Sequence, residues 1–157
     1  MSDIESTNLE KTKKRALKIL GNRNFSEQEM YKRLTAKGEE PDNSAKTVSW
    51  LVSLGYINDS NYAALIVNHY ATRGYGEARI KDELYKRGIP RDLWDDCLAN
   101  IEISDFNISD PAVEYLQKKL RGSDDKDDLR RAKESLVRRG FSYNDAASAI
   151  KRYLEEE

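Results

Sequence analysis

Three phrases ending in glycine constrain this chain more than any other feature: "LTAKG" at 34–38, "LYKRG" at 84–88 and "LVRRG" at 136–140. Their glycines lie 50 and then 52 residues apart, a spacing that marks an internal repeat. The match extends upstream, where Phe25-Ser26 with Met30 and Leu34 corresponds, at offset 50, to Tyr75-Gly76 with Ile80 and Leu84. A chain repeated in this way folds as an array of small units rather than around one large core.

The matched positions describe a helix with defined ends. Ser26 can cap the first turn, Glu29 completes a capping box, and Phe25 can pack on Met30 as a hydrophobic staple. Tyr75 and Ile80 repeat the staple around a Gly76 cap. In the third copy Asp128 takes the cap position, Ala132 and Leu136 the apolar ones, and Asp127 stands where the aromatic was. Each helix then stops at its glycine, which tolerates the left-handed conformation past a helix end, with a lysine or arginine just before it to favour the negative end of the dipole.

A further helix follows each glycine. Its apolar residues recur at helical spacing: Ala45, Val48, Leu51 and Val52; Leu93, Trp94, Cys97, Leu98 and Ile101; Ala146, Ala149, Ile150 and Tyr153, the last set behind a Ser142 cap. Another helix precedes each stapled one: Leu9 to Leu20, Ser60 to Thr72 and Pro111 to Leu120, with Asp59 and Asp110 as caps and Pro111 where its missing N–H costs nothing. No segment alternates with a period of two. The expected fold is all-α: three tandem three-helix repeats, helix-turn-helix-like, at 9–58, 59–109 and 110–157 behind a disordered 1–8. Units of about 50 residues are near the lower limit for an independent core, so stacking into an elongated, curved array is expected.

The chemistry-bearing residues argue against an enzyme. His69 is the one histidine and has no cysteine or second histidine at ligand spacing. Asp95-Asp96 and Asp124, Asp125, Asp127 and Asp128 lack the glycine and closing glutamate of a calcium loop, and "RGYGEARI" lacks the strand and lysine of a phosphate loop. Cys97 is the single cysteine, read as a small buried hydrophobe in a reducing cytosol. No catalytic residue, metal site or cofactor is expected. The N-terminus lacks a signal-peptide core and no apolar run is long enough for a membrane span, so a cytoplasmic monomer without membrane contact is expected.

Charge is balanced overall, 27 basic against 28 acidic, which disfavours generic DNA binding. Its distribution is uneven: residues 1–58 carry 10 basic and 8 acidic side chains, 59–110 carry 6 and 10, and 111–157 carry 11 and 10. The basic residues crowd the helix before each repeated glycine, and Arg73, Arg79, Lys81, Lys86, Arg87, Arg138 and Arg139 are the candidate contacts to an extended acidic partner. The nine tyrosines are read mainly as fillers between small helices.

"LVSLGYINDSNYA" followed by "RGYGEARIKDELYKRGI" resembles the signature region of the RecX family, regulators of the RecA recombinase. "FSEQEMYKRLTAKG" and "LRRAKESLVRRGFSYNDAASAI" resemble that family's first and last units, so the resemblance covers nearly the whole chain in order. It implies tandem three-helix repeats and, as partner, the RecA filament on single-stranded DNA, whose groove such proteins occupy. The implied outcome is restrained strand exchange and RecA-stimulated repressor cleavage, without a catalytic site. The net charge of -1 is lower than that of many family members and points to weak direct DNA binding. The alternative reading is an autonomous DNA-binding helical module that needs no recombinase.

Overall fold

The structure is a computed structural model that describes residues 3–104 and 110–156. Among the described residues it contains nine α-helices, a short 3-10 turn and no strand. The helices are α1 (Asp3–Leu20), α2 (Glu27–Ala36), α3 (Pro41–Ser53), α4 (Asp59–Thr72), α5 (Glu77–Lys86), α6 (Trp94–Ser104, after the 3-10 turn Arg91–Leu93), α7 (Pro111–Leu120), α8 (Lys126–Arg138) and α9 (Tyr143–Glu155). They form two compact units, Met1–Ala63 with Tyr85–Pro90, and Ala64–Leu84 with Arg91–Glu157.

In the first unit α1, α2 and α3 close around Ala16, Leu20, Phe25, Met30, Leu34, Val48, Leu51 and Ile57. The capping box forms as its sequence demands: Glu29 N–H donates to Ser26 Oγ at 3.0 Å, and Ser26 N–H donates to the Glu29 carboxylate at 3.0 Å. Phe25 and Met30 are both buried in this core. In the second unit α7, α8 and α9 close in the same way around Ala112, Leu116, Leu120, Ala132, Leu136, Ala146, Ala149 and Tyr153.

Four features depart from the sequence reading. Helix α1 starts at Asp3, inside the tract expected to be disordered, where acidic residues suit a helix N-terminus. In α3 the buried stripe is Ser44, Thr47, Val48 and Leu51, while Ala45 and Val52 are exposed. The helix is rotated so that two small hydroxyl residues face the core, which hydropathy could not select. Helix α8 is capped by Asp125, whose carboxylate accepts the N–H groups of Asp127 and Asp128 at 3.1 and 3.3 Å, so Asp128 lies inside the helix. At α4 the Asn58 side chain accepts the Asn61 N–H, leaving the Asp59 carboxylate for the N–H of Glu27 at 3.0 Å. Asp110 caps α7 as expected, accepting from Val113. The side chain of Ile101 and the part of the 103–109 break from 105 on lie outside the described residues.

Ser44 Oγ and Thr47 Oγ1 are buried without a hydrogen-bond partner among the described residues. An unsatisfied buried hydroxyl costs about 1–3 kcal/mol. Ser44→Ala, which also improves helix propensity, is therefore expected to stabilise the chain by about 1 kcal/mol, and Thr47→Val to be neutral or stabilising. Urea unfolding checks this: the midpoint rises for Ser44→Ala, and a fall would contradict it.

Each unit contains one joint between repeats, and the two joints share a plan. In the first unit Ser26 Oγ donates to the Arg87 carbonyl, and Gly88 rests against Gln28 so closely that a Cβ there would lie 2.8 Å from the Gln28 Cβ. In the second, Gly76 N–H donates to the Arg139 carbonyl at 3.0 Å and Ala78 N–H to the Gly140 carbonyl at 3.1 Å. A Cβ at Gly140 would lie 2.6 Å from the Arg79 Cβ. The glycine ending the second helix of one repeat thus seats the N-terminus of the second helix before it. The left-handed φ of +74° at Gly88 and +103° at Gly140 serves the helix end, and the missing side chain serves the contact.

Candidate partner-binding residues

The seven basic residues singled out by the repeats occupy three different situations. Arg139 is the most enclosed in its chemistry. Its guanidinium lies 4.0 Å from the Tyr75 ring centre and 4.4 Å from that of Tyr115. Its Nε donates to the Gly74 carbonyl at 3.1 Å and its Nη2 to the Arg73 carbonyl at 2.6 Å. Arg79 is half-buried, 3.3 Å from the Glu83 carboxylate and 5.2 Å from the Tyr75 ring centre; its Nε is close enough for an ion pair but not aligned for a hydrogen bond. Arg87 is half-buried and reaches the Tyr62 hydroxyl. These three arginines hold the joints.

Arg73 and Lys81 are intermediate. Arg73 is exposed and its Nη1 donates to the His69 carbonyl at 3.0 Å, closing the end of α4. Lys81 pairs with Glu77 one turn earlier, at 2.8 Å. Such exposed pairs contribute little to stability and exchange readily with solvent. Lys86 and Arg138 are exposed, and they occupy the corresponding place in two repeats, two residues before the joint glycine. In each basic doublet the residue adjoining the glycine turns into the joint and the one before it faces solvent.

Burial and the Glu29 charge push the Tyr62 hydroxyl above its usual range, against the opposing pull of Arg87 and Arg23. At Tyr115 burial also acts upward, but the hydrogen bond with Ser135 and the charges of Lys119 and Arg139 outweigh it, and the net shift is downward. The Lys119 ammonium also donates to Ser135 Oγ, at 3.3 Å. A phenol whose folded value lies below its unfolded one gains stability as it ionises. That contribution is present above the unfolded value and is lost as pH falls through the folded one. In an alkaline titration followed by tyrosinate absorbance, the earliest step is expected to vanish in Tyr115→Phe; a merely proportional loss of amplitude across the curve would contradict the assignment.

An open groove of about 440 Å³ in the second unit is lined by Thr72, Arg73, Tyr75, Pro111, Glu114, Tyr115, Lys118 and Arg139. Sequence reasoning missed Lys118 here. It lies in α7, away from the repeated glycines, so the alignment carried no signal for it. His69 is exposed, and Cys97 is buried with its thiol pushed up by desolvation and by Asp96. Among the described residues no group of three His, Cys, Asp or Glu side chains converges as a metal site, and no helix is long and apolar enough to cross a membrane.

Comparison with known proteins places this arrangement. Residues 58–98 match the family described as RecX, second three-helix domain. The chain is 32% identical over 144 residues to the Regulatory protein RecX of Xanthomonas axonopodis pv. citri (strain 306), covering 90% of this chain and 87% of the relative. It is 28% identical over 141 residues to the Regulatory protein RecX of Vibrio campbellii (strain ATCC BAA-1116), covering 88% of this chain and 89% of that one. The fold is similar to the crystal structure of RecX from Lactobacillus salivarius, with a TM-score of 0.76 at 24% identity over 94% of this chain and 97% of the other. An all-α array of three-helix repeats, and a relative matched along nearly its whole length, show that the chain belongs to the RecX family of regulatory proteins.

Proposed function

We propose that this protein is a non-enzymatic modulator of the RecA recombinase, acting as an inhibitor, which lies in the groove of the RecA filament on single-stranded DNA. Through it the protein regulates recombination, DNA repair and the SOS response, working in the cytoplasm as a monomer without a cofactor. Membership in the RecX family carries this reading. The exposed Lys86 and Arg138, at corresponding places in two repeats, support it by offering recurring positive charge to a partner that itself repeats. A body bridging neighbouring filament subunits holds them at an inactive spacing or blocks addition of the next, and needs no deep pocket.

Co-sedimentation with RecA filaments tests the reading. The wild type is expected to sediment with filaments, and Lys86→Glu with Arg138→Glu to sediment about tenfold less tightly, since each reversal replaces attraction by repulsion at the contact. Unchanged sedimentation of the double variant would remove these residues from the interface. A second reading, direct DNA binding, draws on the groove with Arg73, Lys118 and Arg139. It predicts submicromolar duplex binding without RecA and steep loss of affinity with salt, which gel shifts across a salt series would show.

A further inference from the structure

The two joints define a surface, and that surface occurs a third time. Gly38 ends α2 as Gly88 ends α5 and Gly140 follows α8, with a left-handed φ of +92°. At Gly88 and Gly140 an added Cβ would collide with the seated helix, whereas at Gly38 it would meet nothing within 4 Å. The carbonyl before each glycine tells the same story. Arg87 and Arg139 carbonyls accept from Ser26 Oγ and from Gly76 N–H, the caps of the seated helices. The Lys37 carbonyl instead accepts from Arg15 Nη1 at 2.9 Å, a side chain 45% exposed and paired to Glu39 at 3.2 Å.

We propose that the Lys37–Gly38 end of the first repeat is a docking site for the first turn of a helix from another protein, one that begins with a small donor-bearing cap followed by glutamate. The two internal occupants define that chemistry, Ser26-Glu27 and Gly76-Glu77, and the site repeats the kind of helix end that each of them meets. A Cβ-free glycine admits the close approach, and the Lys37 carbonyl takes the cap's N–H or O–H once Arg15 swings away into solvent.

A second copy of this chain has no suitable second helix to offer. Its α2 and α5 N-termini already seat Arg87-Gly88 and Arg139-Gly140, and α8 is closed by Asp125, whose carboxylate already accepts two amides. A carboxylate has no proton with which to meet a carbonyl, as Ser26 does. The occupant therefore comes from a different protein, and the proposal rests on the regulator reading in taking a recombinase subunit as that protein.

Gly38→Asn in the full chain is the test, because asparagine tolerates the left-handed conformation while filling the space. Gly55→Asn is its control: Gly55 has φ +81° and also meets nothing within 4 Å, so the backbone cost is matched. In co-sedimentation with RecA filaments on single-stranded DNA, Gly38→Asn is expected to bind about tenfold more weakly than wild type, with Gly55→Asn unchanged. Equal binding by all three proteins, or an equal loss in both variants, overturns the docking site. No sedimentation of the wild type overturns the regulator reading and the site together.

Discussion

Gly140→Ala is expected to lower the stability of the second unit by about 2–5 kcal/mol, a large effect for a single added methyl group. Two costs combine. A left-handed φ of +103° is unfavourable for any residue with a Cβ, by about 1–2 kcal/mol. The new Cβ would also sit 2.6 Å from the Arg79 Cβ and 3.0 Å from its Cα, against a helix start that cannot recede without breaking the Gly76 and Ala78 hydrogen bonds. Overpacking of this kind costs about 1–3 kcal/mol. Gly55→Ala isolates the first cost, because its site is left-handed but open. Thermal unfolding should show a fall of roughly 10 °C for Gly140→Ala and clearly less for Gly55→Ala. Equal falls would mean that the close approach at Gly140 carries no energy.

The second large effect is expected at Arg139. Removing its side chain in Arg139→Ala leaves the Arg73 and Gly74 carbonyls without their donor and takes the cation from between Tyr75 and Tyr115. Hydrogen bonds from a charged donor contribute about 1.5–3 kcal/mol each, and cation–ring contacts about 0.5–2. The site is partly open to water, so the net loss expected is about 2–4 kcal/mol. Arg139→Lys keeps the charge but cannot span two carbonyls with a planar fork, so it should recover less than half of the loss. Lys118→Ala, on the wall of the same groove, should change stability by less than about 0.5 kcal/mol. Chemical denaturation of the three variants checks the order. An Arg139→Ala protein as stable as Lys118→Ala would remove Arg139 from the joint.

The sequence carried the repeat because its joints need particular residue types. Only glycine can end a helix and admit so close a neighbour at Gly88 and Gly140, and only a short capping side chain can do what Ser26 does with Glu29, so these positions stood out. The face of α3 did not stand out, since Ser44 and Thr47 are buried against their hydropathy while Ala45 is exposed. The α8 cap was misplaced for a related reason: four aspartates lie within five residues, each able to cap, and backbone geometry selected Asp125.

The basic residues show the limit most clearly. Arg138 and Arg139 are neighbours of the same type, yet one faces solvent and the other lies between two tyrosines. Composition and spacing cannot separate them, because the difference arises from which side of the helix end meets the preceding repeat. The tyrosines read as fillers are in part the partners of these arginines: Tyr62 for Arg87, and Tyr75 and Tyr115 for Arg139.

Restraint of a recombinase filament is the proposed role of this chain. RecA-catalysed strand exchange on single-stranded DNA, followed with the purified protein added below the molar amount of RecA, tests it most directly. Inhibition is expected at substoichiometric ratios, since a molecule that bridged subunits would block many of them. Strand exchange that proceeds at its full rate at every ratio would contradict it.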